Sequence, residues 1–269
     1  MKKHFKLGII GCGYKAHCIL RGLVLSDFLS EKKIIVSDVS EKELEKVSYL
    51  GVGTTTDNKY VAENCEFVIL AVGCANFENV IKSFGNVVPE KLITLISGVK
   101  KNAVKNAFGL HAVRVARAVI NMPCFIGSGA IGLDMSDYKS LDDIEFISKV
   151  FDNLGTIVCV DESKMDAVEG LSGGGPAYAL MFIDSLIDAG AKQGLPKNEA
   201  KVLAVQTVLG AAEMVQREEQ TLAELLVQAC GKGSVAIEGV KTFEKNNFSG
   251  TISDAVDAGV KRLKENSDK

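Results

Sequence analysis

Residues 5–16 constrain the fold of this chain more than any other stretch. Phe5 to Ile10 is short and mostly apolar, with Lys6 and Gly8 as its exceptions, and it runs straight into Gly11-Cys12-Gly13-Tyr14-Lys15-Ala16. A strand that ends on Gly-x-Gly-x-x-Ala and opens a helix, here expected to reach about Leu25, carries the dinucleotide fingerprint. The first glycine makes the turn, the second lets a pyrophosphate approach the backbone, the small sixth residue packs helix on strand, and the helix N-terminus receives the phosphates. Gly11, Cys12, Gly13, Tyr14 and Lys15 are therefore expected to line a nucleotide site. Taken alone the motif also suits a plain glycine turn; its place between strand and helix favours the nucleotide. Lys15 is open to two readings, a cation near phosphate or a side chain in water.

Further strands are expected at 34–38, 52–54, 67–72, 92–96, 113–119, 130–133 and 156–160, with helices that include 41–50 and 140–154. Strands alternating with helices at this spacing predict an α/β fold, a Rossmann-type doubly wound parallel sheet over residues 1–160. Asp38 follows Ser37 at the end of the second strand. An acid there hydrogen-bonds the ribose 2′-hydroxyl and repels a 2′-phosphate, which favours NADH over NADPH; the competing reading is that Asp38 caps the next helix.

A second constraint is the block 166–214. Leu180, Ile183, Ile187 and Ala191 stand at helical spacing, while Met181, Phe182 and Leu186 occupy the other faces. A helix apolar all round is buried in a core or against a second subunit. Gly173-Gly174-Gly175-Pro176 reads as a turn that feeds it, and Gly194-Leu195-Pro196 separates it from a second helix reaching about Glu213. Two closing helices, 238–245 and 252–264, carry Phe243, Phe248, Ile252, Val256 and Val260 on or beside one apolar side. No strand pattern follows residue 160, so 161–269 is expected to be an all-α dimerisation and substrate domain.

Composition excludes some roles. A net charge of −3 with lysines scattered among acids offers no basic stripe for nucleic acid or an anionic membrane. The seven cysteines are odd in number and widely spaced, and His4, His17 and His111 sit in no metal motif. They imply reduced thiols, no metal and a cytoplasmic setting. The opening MKKHFKLGIIGCG is broken by glycines and reads as a strand rather than a leader. The partners implied are small molecules and copies of the chain itself.

The words LSGGGPAY, DAGAKQGLP and QTVLGAAEM within that block resemble the signature of the pyrroline-5-carboxylate reductase family, usually LSGSGPAY, DAGVKxGLP and QTVLGAAxM. The likeness runs over nearly the whole chain. It implies reduction of the cyclic imino acid 1-pyrroline-5-carboxylate to proline with NAD(P)H, in a homodimer or larger homo-oligomer whose C-terminal helices interleave with a partner. Such a block could also preserve only a packing interface. Two rival functions stay open: reduction of another cyclic imine or oxo acid, and a non-catalytic nucleotide-binding role.

On the cofactor side the resemblance adds Asn58, Ala71, Val72, Gly73, Ser97, Asn121 and Gln228. Gly73-Cys74 replaces the family's Lys-Pro, and Tyr14-Lys15 its Asn-Met or a similar pair. On the substrate side it implies Glu162, Gly173, Gly174 and Gly175, and a carboxylate-binding turn written Ser-Pro-Gly-Gly-(Thr or Ala)-Thr. That turn falls on Gly231-Lys232-Gly233-Ser234-Val235-Ala236. The family's last Thr hydroxyl lies against the imine nitrogen, and here the position is Ala236, which cannot donate. Glu169 replaces a Thr and Gly174 a Ser. One compensating scheme has Lys232 anchoring the substrate carboxylate and Glu169 acting as proton donor or iminium partner; the plain alternative leaves both charges in solvent.

Overall fold

The computed structural model describes residues 3–109, 113–217, 219–231 and 233–267. Among them are eight strands: β1 Phe5–Ile10, β2 Ile34–Ser37, β3 Gly53–Thr55, β4 Cys65–Leu70, β5 Lys91–Thr94, β6 Arg114–Val119, β7 Gly129–Asp134 and β8 Gly155–Cys159. They form one sheet in the order β3-β2-β1-β4-β5-β6-β7-β8. β1 is central, with Ile9 between Val36 and Ile69. Strands covered on both faces become almost continuously apolar, which is why β1, β2 and β4 read as runs rather than alternations.

The sheet is parallel except at β7, which runs antiparallel to β6 with Ala118 opposite Leu133; β8 then pairs parallel to β7. The sheet is otherwise the doubly wound parallel one expected, with this single antiparallel pairing added. The link from β6 to β7 is a single short helical turn, Met122–Ile126, too short for a crossover.

The helices on the sheet are α1 Tyr14–Leu25, α2 Glu41–Glu45, α3 Asn58–Asn64, α4 Phe77–Ser83, α5 Lys101–Ala107 and α6 Leu141–Asp152. One face buries Phe67, Tyr138 and Phe151 with the underside of α1; the other buries Val61, Phe84 and Val104. α2 stops well short of the expected residue 50, and a separate 3-10 turn covers Ser48–Leu50 before Gly51 reverses the chain. β3 is also shifted by one residue, at Gly53–Thr55.

After β8 the chain is helical: α7 Met165–Val168, α8 Gly175–Lys192, α9 Lys197–Arg217, α10 Leu222–Ala229, α11 Ala236–Lys245 and α12 Phe248–Ser267. The chain divides into two compact units, one of residues 1–174 with 258–269 and one of 175–257. In the second, α8 and α9 pack as a hairpin around Ile187, Ala200 and Ala204, and Phe182, Phe243 and Phe248 cluster. Leu180, Met181, Val202, Leu203 and Val227 stay exposed. The apolar faces of α8 are thus not buried within the protomer, so the alternative of a second subunit is the one that remains. Among the described residues no helix is long and apolar enough to cross a membrane.

A buried charge cluster ties α5 to the segment after β7. Lys101, 4% exposed, donates to Ser136 Oγ at 2.6 Å and pairs with Asp134 Oδ2 at 3.1 Å and Asp137 Oδ1 at 3.3 Å. Burial works to raise the Asp134 carboxyl, but the Ser136 amide and hydroxyl and the Lys101 ammonium outweigh it and hold it below the usual value. Lys101→Met leaves the buried Asp134 without its ion-pair partner, while Asp137 keeps Lys105 and Val115 N–H, and is expected to cost about 3 to 5 kcal/mol. Because the native carboxyl is depressed, the pairing stabilises fully above the ordinary Asp range of about 3.9 and is lost as pH falls below it. Urea titrations of both proteins should show the gap closing in acid.

Candidate active site

The glycine loop holds the shape its sequence demands. Gly11 sits at φ +93°, and a Cβ there would meet Val72 Cγ1 at 2.7 Å, so both conformation and space require glycine. Its amide donates to Ser37 O, and Ala71 N–H donates to Ile10 O, which closes the loop against β2 and β4. Gly13 differs: a Cβ would meet nothing within 4 Å. It is the N-cap of α1, carries no side-chain cap, and is followed by a first turn without acids. Open space before uncapped N–H groups at a helix start suits a pyrophosphate.

Asp38 lies just past β2. Its Oδ2 accepts from Cys12 N–H at 2.7 Å and its Oδ1 from Ser40 N–H at 2.9 Å. It therefore braces the glycine loop; the cap position of α2 belongs to Ser40, so the capping alternative is corrected. A cleft of about 360 Å³ opens beside it, lined by Gly11, Asp38, Val39, Asn58 and Val72. Asn58 is fixed there by accepting from Ser37 Oγ at 2.7 Å and donating to Ser83 Oγ at 3.0 Å. Asn76 and Asn79, not anticipated from sequence, complete the wall. Polar amides around an adenosine-sized cleft fit a nucleotide.

Cys12 is fully buried, and its thiol donates to Glu43 O. Burial, then Asp38 and Glu43, push it up to about 11. Gly73 needs no special conformation, at φ −70°, and begins a short turn where the family has lysine. Asn121 accepts from Ala130 N–H at 3.0 Å and holds the β6–β7 turn.

Lys15 does not point into water. Its ammonium crosses to the end of β5, donating to Leu95 O at 2.6 Å and to Ser97 Oγ at 3.3 Å. Burial lowers its pKa, and Glu169 acts in the opposite sense. Tyr14 donates to Met122 O at 2.7 Å and stacks on Phe125.

The glycine-rich stretch is not a turn. Glu169–Gly173 is a π-helical turn that continues α7, Gly174 has right-handed helical angles at φ −79° and ψ −26°, and α8 begins at Gly175. Pro176 falls in the first turn, where its missing N–H costs nothing. Glu169 is directed inward: its carboxylate, 12% exposed, lies 3.8 Å from Arg117 Nη2, which also binds Asp166 Oδ1 at 2.9 Å. The solvent reading of Glu169 is thereby corrected. Arg117, Asp166 and Lys101 were not anticipated; the signal for Arg117 was one charge inside the apolar strand Val115-Ala116-Arg117-Ala118-Val119.

Glu162 accepts from Lys101 N–H at 2.5 Å at the start of α5. In the second unit Gln228 lies exposed on α10. Gly233 takes φ +84°, Ser234 N–H donates to Gly231 O, Val235 is exposed and Ala236 opens α11. Lys232 lies outside the described residues, as does His111. Among the described residues no group of three His, Cys, Asp or Glu side chains is placed to hold a metal.

A Rossmann-type sheet with a phosphate-ready glycine loop and an acid beyond β2, followed by helices rich in unburied apolar surface, defines a nicotinamide-nucleotide oxidoreductase with a helical dimerisation domain. Residues 162–266 match the family described as pyrroline-5-carboxylate reductase dimerisation, and residues 6–98 the one described as NADP oxidoreductase coenzyme F420-dependent. The chain is 33% identical to pyrroline-5-carboxylate reductase of Synechocystis over 97% of both chains, and 32% identical to that of Arabidopsis thaliana over 97% and 95%. Solved reductases from Coxiella burnetii (30% identity, 98% and 99% covered) and Plasmodium falciparum (25%, 99% and 100%) each superpose with a TM-score of 0.88. The chain belongs to the pyrroline-5-carboxylate reductase family.

The two loop glycines predict separable effects. Gly11→Ala forces a clash and should lower both thermal stability and nucleotide affinity. Gly13→Ala adds a methyl in open space, so its melting temperature should hold while the NADH dissociation constant rises by about tenfold or more, about 1.4 kcal/mol. Thermal melts and NADH fluorescence titrations of both variants check this.

Proposed function

We propose that the chain reduces 1-pyrroline-5-carboxylate to L-proline with NADH in preference to NADPH, as a cytoplasmic homodimer or larger homo-oligomer. The observation that carries the reaction is the full-length likeness to named pyrroline-5-carboxylate reductases, joined to a glycine loop shaped for a nucleotide. The relatives give no support to another imine, an oxo acid or a purely binding role. An odd number of widely spaced cysteines, mostly in apolar runs, suits a reducing compartment.

The nucleotide supplies the hydride; the protein's part is placement and charge. Gly11, Cys12, Gly13 and the start of α1 take the pyrophosphate, and Asn58, Ala71, Val72, Gly73 and Ser97 flank the rest. The Plasmodium enzyme was solved with NADP bound. Here Asp38 presents a carboxylate beyond β2, where a 2′-phosphate would add like charge. Glu162, Gly173 to Gly175 and the turn through Gly233, Ser234 and Val235 to Ala236 serve the imino acid. The Glu169 carboxylate, inward and short of hydrogen bonds, faces the iminium charge.

NADH and NADPH oxidation with pyrroline-5-carboxylate should show turnover with NADH favoured, and Asp38→Ser should narrow the preference. No turnover with either, alongside saturable nucleotide binding, would sink the reaction. Met181→Glu with Leu203→Glu, both on exposed apolar positions, should shift the protein toward monomer in sedimentation velocity.

A further inference from the structure

We propose that Lys15 is the proton donor of the reductase site, with the Glu169 carboxylate as the counter-charge that positions it. The inference rests on the reading above that the chain reduces an imine. Lys15 and Glu169 stand where the family resemblance has neutral residues, and Ala236 stands where it has the hydroxyl nearest the imine nitrogen. Lys15 and Glu169 come together around one cavity, because Lys15 and Gly173 line it and Glu169 packs against Gly173.

Several observations single Lys15 out. A lysine in the first turn of an exposed helix start has a free path to water, yet this one spans to Leu95 O and Ser97 Oγ. Those bonds engage two of its three protons and hold the ammonium at one point. The same residue lines a cavity of about 240 Å³ with Tyr14, Ile120, Asn121, Met122 and Gly173. That volume accepts a five-membered ring, and its one cationic wall is Lys15. One helical turn before Gly173, Glu169 closes a three-charge group with Arg117 and Asp166. Arg117 Nη1 and Glu169 Oε2 are buried there without a hydrogen-bond partner. A site with unmet hydrogen-bonding capacity beside a ligand-sized cavity is built for something further to bind.

The chemistry balances with one hydride and one proton. The Nζ–H bond of Lys15 breaks as its proton passes to the imine nitrogen, the C=N π pair becomes the new N–H bond, and hydride from the reduced nicotinamide forms the C–H bond. Lys15, left as a neutral amine beside Glu169, regains a proton from water. Burial makes the Lys15 ammonium a stronger acid than a surface lysine, which favours transfer near neutral pH. The charged group acting on it is Glu169 on the π turn, with Arg117 of β6 and Asp166 of α7 paired behind that carboxylate.

The test combines kinetics with a readout that needs no turnover. Lys15→Met should lower kcat about 10²-fold, with the loss growing as pH rises, while the NADH dissociation constant measured by fluorescence stays within about threefold. Lys15→Arg keeps the charge without a readily released proton and should be equally slow. Methylamine should restore part of the activity of Lys15→Ala in proportion to its concentration. Separately, acetic anhydride labelling of the native protein, read by mass spectrometry, should show Lys15 reacting at lower pH than surface lysines and protected by NAD⁺ with proline. Wild-type kcat and pH profile in Lys15→Met, or a loss confined to NADH affinity, would overturn the proposal and leave the reductase assignment standing. Absence of turnover in the wild type strikes the assignment itself. Labelling of Lys15 that NAD⁺ with proline does not slow removes it from the site whatever the kinetics.

Discussion

The bond from Cys12 N–H to the Asp38 carboxylate, 2.7 Å long, holds the nucleotide end of the molecule together. A glycine loop that must pass between a strand and a helix has few side chains with which to fix itself. Here an acid from the neighbouring strand end grips the loop at its middle residue, while Gly11 N–H is held by Ser37 O. The same carboxylate reaches on to Ser40, so the geometry of β1, β2 and the start of α2 is set by one side chain. A charge-assisted bond of this kind is stronger than a neutral one. An acid at the end of the second strand is thus part of the scaffold that shapes the glycine loop.

The second unit shows the opposite economy. Its hairpin buries only Ile187, Ala200 and Ala204 deeply, against many exposed apolar side chains on α8, α9 and α10. So small a core contributes little against the conformational entropy of the helices. Homo-oligomer formation through this dimerisation domain supplies burial that the protomer lacks.

Much of this architecture could be read from residue order, for definable reasons. Strands near the sheet centre are apolar on both faces, and the glycine spacing at 11 and 13 admits few backbone shapes. Three consecutive glycines before Pro176 looked like punctuation, yet they continue a helix. Glycine permits a turn without enforcing one, and the helices on either side decided the matter. The reversal at β7 depends on pairing, which no local pattern encodes. The course of the Lys15 side chain was not legible, because helical position tells where a side chain starts and not where a four-carbon stem ends. Arg117 and Asp166 pair across 49 residues, a distance over which a linear reading has no purchase.

Cys12 sits between the two glycines that a nucleotide must approach, the place where an oxidisable group would do most harm. Its sulfur is fully buried and its thiol is pushed up to about 11, as Cys18 is, so the reactive thiolate is scarce at neutral pH. Oxidants in the surroundings therefore find no ready handle on the loop. The backbone that a nucleotide must approach is thus lined by a sulfur that is chemically quiet.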